Sequence, residues 1–129
     1  MITPADRGRL VQAARAVRAH AHAPYSKFRV GAAVLDERGR VHTGCNVENA
    51  SYGLTVCAER NAIAAAVAAG AKQARAIAVV TATGATPCGA CRQVIAELGA
   101  ATTPILLARP GGAPRATTLG ALLPRAFGL

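Results

Sequence analysis

Two short cysteine-containing segments constrain this sequence more than any other feature. One reads C-A-E at residues 57–59 and the other reads P-C-G-A-C at residues 87–91. An alanine-rich run follows the first segment, and its high helix propensity predicts a helix that begins at the cysteine. The second segment also begins a helix-like stretch. Cysteines at helix N-termini face unpaired N–H groups and the positive end of the helix dipole, which favour the thiolate form.

Three cysteines in this arrangement have the donor chemistry of a zinc site. The two sulfurs of C-x-x-C lie about one helical turn apart and can bind one ion together, with Cys57 as the third ligand from the other helix. Three protein ligands with an open fourth position are typical of catalytic zinc. Two alternatives stay open: Cys88 and Cys91 form a redox pair, or Cys45 closes a structural four-cysteine site. Cys45 otherwise packs as a small apolar residue.

Glu59 lies two residues after the first cysteine. A glutamate in the first turn of a helix is usually only a partner of the helix dipole. Here its carboxylate can reach the open coordination position, where a general acid/base would take a proton from an activated water and return it elsewhere. Arg60 is either a surface arginine or a hydrogen-bond donor to the cysteine sulfurs that offsets their negative charge.

The remaining chain predicts a single α/β domain over residues 1–129, built as layers around a mixed sheet. The predicted helices cover residues 3–20, 57–69 and 88–98, with a short turn or helix at 119–123. The predicted strands cover residues 28–35, 41–45, 76–81 and 104–108. Residues 36–40 form a polar hairpin connection between the first two strands. We expect His42, on the second strand, to point to solvent.

Composition and charge argue against several classes of protein. Fifteen lysines and arginines against six acidic residues give a net charge of +9, which would suit a nucleic-acid-binding protein. The arginines are scattered singly, however, and 3% aromatic residues leave little material for stacking bases. No run approaches the roughly 18 apolar residues of a membrane span. The first ten residues lack the apolar region of a signal peptide, so we expect a cytoplasmic protein with reduced cysteines.

Taken together, the motifs resemble those of the small, homotetrameric, zinc-dependent cytidine deaminases. Five segments carry the resemblance, in order and at the family's usual separation: A-P-Y-S-K-F-x-V-G-A-A over residues 23–33, G-C-N-V-E-N-A over 44–50, C-A-E-R over 57–60, P-C-G-A-C-R-Q-V over 87–94 and L-L-P-R-A-F over 122–127. The resemblance implies a three-layer α/β/α domain with a mixed central sheet. It also implies a hydrolase that converts free cytidine and 2′-deoxycytidine to the uridines and ammonia in pyrimidine salvage.

The same resemblance implies roles for individual residues of the chemical centre. Cys57, Cys88 and Cys91 would hold one zinc ion per chain, and Glu59 would carry protons while water attacks C4 of cytosine. The backbone at Ala58 would help to read the base edge.

The resemblance also assigns the residues that hold the rest of the substrate. Phe28 would pack against the base, and Asn46 and Glu48 would hydrogen-bond the ribose 3′-hydroxyl. The residues expected to reach the pocket of a neighbouring subunit are Ala50, Tyr52 and Phe127.

Asn46 and Glu48 also favour a class of substrate on physical grounds. At alternate positions of an extended segment, two side chains can point to the same side. A carboxylate that accepts a hydrogen bond from a hydroxyl would repel a phosphate at that place, which favours free nucleosides over cytidines inside RNA or DNA. Three alternatives remain: Glu48 is only a loop charge, the substrate is a cytosine nucleoside antibiotic such as blasticidin S, or the protein is a basic, zinc-stabilised nucleic-acid-binding module.

Overall fold

The computed structural model describes residues 2–129, and its centre is a five-stranded mixed sheet. The strands are β1 (Gly31–Asp36), β2 (Val41–Cys45), β3 (Ala74–Val80), β4 (Pro104–Ala108) and β5 (Arg115–Thr118). Their order across the sheet is β2-β1-β3-β4-β5. The β3–β4 pair is parallel, and the other three pairs are antiparallel.

Helices cover both faces of this sheet. The helices are α1 (Pro4–Arg18), α2 (Ala58–Ala68), α3 (Gly89–Leu98) and a short α4 (Leu119–Leu122), with a single 3₁₀ turn at Tyr52–Leu54. Thr3 caps α1 by accepting a hydrogen bond from the Asp6 backbone, and the Asp6 carboxylate accepts one in return from the Thr3 backbone. The described helices are too short or too polar to span a membrane.

The period-two alternation of the strands gives each face of the sheet its own apolar core. One core lies under α1 and contains Leu10, Leu35 and Val80. The other lies under α2 and α3 and contains Ile77, Ile95 and Ile105. The predicted α/β/α layering with a mixed sheet is therefore confirmed.

Gly44 allows α2 to lie directly on the sheet. A Cβ atom at this position of β2 would come 2.4 Å from the backbone nitrogen of Ala62 and 2.7 Å from the carbonyl oxygen of Ala58. Real Cβ atoms do not make such contacts, so the close approach of strand and helix requires glycine here. This approach sets the height of α2, and with it the position of the residues at its N-terminus.

The structure differs from the sequence expectation at three places. Residues 115–118 form an edge strand, β5, where no strand was predicted. Residues 28–30 do not join β1: the side chains of Ser26 and Asn46 bond the N–H groups of Phe28 and Val30, although the Val30 carbonyl still accepts a hydrogen bond from the Asn46 backbone. The prediction that His42 points to solvent is wrong: its Nε2 lies 2.8 Å from Oδ2 of Asp36.

Asp36 explains why His42 turns inward. Its carboxylate is fully buried at the end of β1 and accepts hydrogen bonds from the backbone of Arg38 and from the backbone and side chain of Arg40. Burial alone would raise the pKa of Asp36, but the hydrogen bonds from His42 and the two arginines outweigh it and hold this pKa well below its usual value. The hairpin 36–42 is thus organised around one buried negative charge.

Candidate active site and metal centre

The N-termini of α2 and α3 meet on one side of the sheet. Cys57 is the residue that caps α2, Cys88 caps α3, and Cys91 lies in the first turn of α3. Neither capping side chain hydrogen-bonds to its own helix, so the thiols are free to face each other. The three Sγ atoms lie within 4.8 Å of one another, and those of Cys88 and Cys91 are 3.4 Å apart.

This cluster fits a single zinc ion. Ligands at about 2.3 Å from zinc in tetrahedral geometry lie just under 4 Å from each other, and the observed spacing is compatible with this. Cys45 lies outside the cluster within residues 2–129, so the four-cysteine alternative lacks its fourth ligand. Sulfur donors without a fourth side chain leave a position for a small oxygen ligand.

Arg60 points back at the cluster from the first turn of α2. Its Nη2 donates to Sγ of Cys57 at 3.6 Å and to the carbonyl oxygen of Thr55 at 3.4 Å. Hydrogen bonds from Cys91 and then from Arg60 outweigh burial and lower the pKa of the Cys57 thiol to about 5. The hydrogen bond to Cys57 in turn raises the pKa of Cys91. The cluster therefore already favours a thiolate, the form that ligates zinc.

Glu59 is buried beside the cluster, with only 5% of its surface exposed. Burial is the main reason that its pKa is raised above the usual value of a glutamate, and the neighbouring Cys57 acts in the same direction. A raised pKa makes a carboxyl group suited to accept and release a proton near neutral pH.

Glu59 lines a cavity of about 270 Å³. Cys57, Cys88 and the buried Ala58 also line this cavity. Its wall further includes Phe28, Asn46 and Glu48. Its volume lies near the roughly 300 Å³ lower end of ligand pockets, which suits a small molecule. Four larger surface depressions, of about 840, 570, 390 and 380 Å³, have no cysteine among their lining residues within 2–129, and Glu48 is the one carboxylate there, in the smallest of the four.

Asn46 fixes the chain on one side of this cavity. Its Oδ1 accepts a hydrogen bond from the backbone N–H of Val30, and its Nδ2 donates to the carbonyl oxygen of Phe28, both at 2.8 Å. The ring of Phe28 remains 39% exposed at the cavity wall. Both ends of the Asn46 amide are therefore occupied by the backbone that carries Phe28.

Glu48 is similarly occupied by the loop 23–28. Its Oε1 accepts hydrogen bonds from the backbone N–H groups of Tyr25 at 3.0 Å and Ser26 at 3.2 Å, and the Ser26 hydroxyl donates to Oε2. The hydrogen bond from Ser26 is the main reason that the pKa of Glu48 is lowered, so this carboxylate is ionised at neutral pH. Glu48 is thus more than a solvated loop charge.

The three residues expected to reach a neighbouring subunit lie outside this cavity. Tyr52 is 76% exposed and Phe127 is 73% exposed, and Ala50 is exposed as well. Tyr52 stacks edge-on against Tyr25, with 6.1 Å between the ring centroids.

Sequence reasoning missed two residues that organise the site. The resemblance includes Ser26 within residues 23–33 but gives it no role, although it contacts both Glu48 and Phe28. Arg92 was read only as part of the resemblance. Its guanidinium bonds the Pro87 carbonyl, the Thr86 hydroxyl and the Leu122 carbonyl, and so joins the loop before α3 to the C-terminal segment. The sequence offers one indication of a role for each: Ser26 lies two residues before Phe28, and Arg92 directly follows Cys91.

A sequence model described as the cytidine and deoxycytidylate deaminase zinc-binding region matches residues 5–107. The chain is 49% identical over 124 residues to a cytidine deaminase from Halalkalibacterium halodurans, covering 95% of this chain and 94% of the relative. It is 46% identical over 124 residues to one from Sporosarcina psychrophila, covering 95% and 91%.

Solved structures give the same result. A crystal structure of cytidine deaminase from Burkholderia pseudomallei superimposes with a TM-score of 0.88 at 51% identity, covering 98% of this chain and all of that one. The cytidine deaminase of Mycobacterium tuberculosis has a TM-score of 0.82 at 46% identity, covering 95% and 97%. With the three-cysteine cluster, the zinc-binding match confirms the zinc predicted from the cysteines.

Proposed function

This chain belongs to the cytidine and deoxycytidylate deaminase family, and on that premise we propose that it hydrolyses free cytidine and 2′-deoxycytidine to the corresponding uridines and ammonia. The observation that carries the proposal is the buried Glu59 beside three convergent cysteine sulfurs in a cavity the size of a small ligand. Cys57, Cys88 and Cys91 hold the zinc. When bound, zinc supplies Lewis-acid activation of the attacking water.

Glu59 moves the protons of the reaction. Its carboxylate accepts a proton from the attacking water and delivers it to ring N3, so that C4 becomes tetrahedral as the C–O bond forms. It then transfers the remaining hydroxyl proton to the amino group, the C4–N bond breaks, and ammonia leaves. Arg60 supports these steps by its hydrogen bond to Cys57, which spreads the negative charge of the sulfurs.

The cavity wall orients the nucleoside. Phe28 packs against the base, and the backbone at Ala58 reads the base edge. Asn46 and Glu48 bind the ribose 3′-hydroxyl. Asn46 uses the second N–H of its Nδ2 group, and Glu48 uses a lone pair of Oε2 that the loop does not occupy, because an amide nitrogen has two donors and a carboxylate offers about four acceptor positions. An ionised carboxylate disfavours a phosphate at this place, which supports a free nucleoside as the substrate.

The assembly and setting are part of the same proposal. We infer a homotetramer in which Ala50, Tyr52 and Phe127 complete a neighbouring subunit's pocket; the exposure of the two aromatic rings supports this. We also infer one domain over residues 1–129, because all five strands join one sheet. A role in pyrimidine salvage follows from the proposed substrate, and the free cysteines of the proposed zinc site suit the reducing cytoplasm. Sedimentation velocity tests the assembly: a monomer as the active species would contradict it.

One assay tests the reaction against its two rivals. Purified protein is incubated with cytidine, 2′-deoxycytidine and blasticidin S, with and without a chelator, and uridine formation and ammonia are followed spectrophotometrically. We expect turnover of both nucleosides that the chelator abolishes. Turnover of blasticidin S alone would show that the substrate is the antibiotic. Salt-sensitive oligonucleotide binding without ammonia release would show that the protein is a nucleic-acid-binding module and not a deaminase.

A further inference from the structure

The hydroxyl of Ser26 lies between Glu48, which is proposed to bind the sugar, and Phe28, which is proposed to pack against the base. It donates a hydrogen bond to Oε2 of Glu48, and it accepts one from the backbone N–H of Phe28 at 2.9 Å. One side chain therefore contacts both the carboxylate proposed for the sugar and the residue proposed for the base. Ser26 itself is part of the cavity wall.

The loop that carries Ser26 is held in a conformation that it would not adopt alone. Lys27, the next residue, has a φ of +62°, in the left-handed region that non-glycine residues seldom occupy. Such a conformation is unfavourable for a residue with a side chain and persists only where surrounding contacts impose it. The contacts that impose it are the hydrogen bond from the Lys27 N–H to the Ala23 carbonyl oxygen at 3.0 Å and those of Glu48 with Tyr25 and Ser26.

Phe28 is fixed from both sides by side chains. Its N–H donates to the Ser26 hydroxyl, and its carbonyl oxygen accepts from the Asn46 amide at 2.8 Å. No strand partner holds it, because β1 begins only at Gly31. The position of the ring therefore depends on Ser26 as much as on Asn46.

We propose that Ser26 is a positioning residue that aligns Glu48 with the ribose 3′-hydroxyl while setting the place of Phe28 against the base. The Ser26 hydroxyl occupies one lone pair of Oε2 and, together with the two N–H groups on Oε1, fixes the rotation of the carboxylate, so that the remaining lone pair of Oε2 points in one direction. This inference rests on the proposed function and adds to it the residue that couples sugar recognition to base recognition.

The test compares cytidine with 3′-deoxycytidine, which lacks the hydroxyl in question. In the unmodified protein we expect kcat/KM to be higher for cytidine. In Ser26→Ala this preference should fall about tenfold, mainly through a higher KM for cytidine, because the loss of a charge-assisted hydrogen bond misaligns Glu48. A role in folding alone would lower kcat/KM for both nucleosides equally and leave their ratio unchanged, and that result would overturn the proposal.

Matched variants keep the test decisive. Ser26→Thr retains the hydroxyl and should restore the preference, whereas the nearly isosteric Ser26→Val should not; equal ratios in these two variants would also overturn the proposal. This pair carries the comparison if Ser26→Ala does not fold. Thr43→Ala removes an exposed hydroxyl on β2, outside the cavity, and should change nothing. Failure of the unmodified protein to deaminate cytidine would instead refute the proposed function itself.

Discussion

Burial gives Glu59 a property that an exposed glutamate in the first turn of a helix lacks. The residue is enclosed beside Cys57 and the cavity, and the loss of hydration raises its pKa. The same helix position on a solvated surface would serve only the helix dipole. The contrast between these two roles depends on surroundings that the sequence does not display.

Glu59→Gln should abolish turnover while leaving the protein folded and loaded with metal. The amide matches the carboxylate in shape but cannot carry a proton, and the loss of general acid/base catalysis typically lowers kcat by about 10² to 10⁴. Steady-state kinetics and elemental analysis of the same preparation check this.

The matched control is Glu97→Gln, the same change at an exposed site on α3. It should keep full activity. A kcat of Glu59→Gln close to that of the unmodified protein would remove Glu59 from the mechanism.

Asp36→Asn should lower the free energy of unfolding by about 2 kcal/mol at pH 5, because it removes the charge that His42 and Arg40 bond. The folded-state pKa of Asp36 lies well below the 3.8 of an ordinary aspartate, so its charge stabilises the fold fully above that pH, and this contribution begins to be lost as the pH falls below it. The difference between the variant and the unmodified protein should therefore narrow towards about pH 3. Urea unfolding at both pH values measures it, and a difference independent of pH would count against this role.

At the scale of elements, the contact between β2 and α2 transmits changes to the metal centre. Gly44 lies under Ala58 and Ala62, and α2 begins directly after Cys57. A displacement of the helix would move the first zinc ligand and Glu59 together.

Gly44→Ala should destabilise the fold by about 1 to 3 kcal/mol or more and reduce the zinc content. The added methyl group meets backbone atoms, which cannot rotate away as a flexible side chain can. Thermal unfolding and elemental analysis test this.

Gly8→Ala is the control for Gly44→Ala. This glycine lies within α1, and a Cβ atom there meets nothing within 4 Å. It should raise stability by about 0.5 to 1 kcal/mol through helix propensity. Unchanged stability and metal content in Gly44→Ala would mean that the two elements can separate without effect.

The elements with strong local signals could be predicted, and those that depend on tertiary contacts could not. The alanine-rich α2 and the apolar β4 follow from propensity and burial. Strand β5, with the sequence R-A-T-T, has no apolar pattern and exists because β4 offers an edge. Phe28 leaves β1 because Asn46 bonds its backbone from another segment.

The same division applies to the site. The three cysteines and Glu59 could be predicted as site residues from their spacing and donor chemistry alone. The inward turn of His42 was not, since it depends on the buried charge of Asp36, which the sequence shows only as one residue of a polar hairpin.

At the scale of the whole molecule, a zinc ion held by the three cysteines would join the N-terminus of α2 to that of α3. Cys88→Ala should lose most of the zinc and lower the melting temperature, because metal binding contributes to the folding free energy. Cys45→Ala, outside the cluster, should retain one zinc per chain. Full zinc content in Cys88→Ala would contradict the ligand set.

The net charge of +9 should have little effect on the proposed reaction. Electrostatic steering accelerates charged ligands, whereas a nucleoside is neutral. We therefore expect kcat/KM for cytidine to change less than about twofold between 0.05 and 0.5 M salt, as measured by initial rates. A steep fall of kcat/KM for cytidine with salt would contradict this expectation, since it would show that the charge of the protein affects turnover of a neutral substrate.

The guanidinium of Arg92 has a practical consequence for anyone handling this protein. It hydrogen-bonds the Leu122 carbonyl together with Thr86 and Pro87. A displacement of the C-terminal segment would therefore also displace the loop before Cys88. An affinity tag or fluorescent fusion attached after Leu129 would lie next to the segment that Arg92 connects to this loop, whereas one placed before Thr3 would not. An affinity tag at the N-terminus is therefore the better choice for keeping the metal bound during purification.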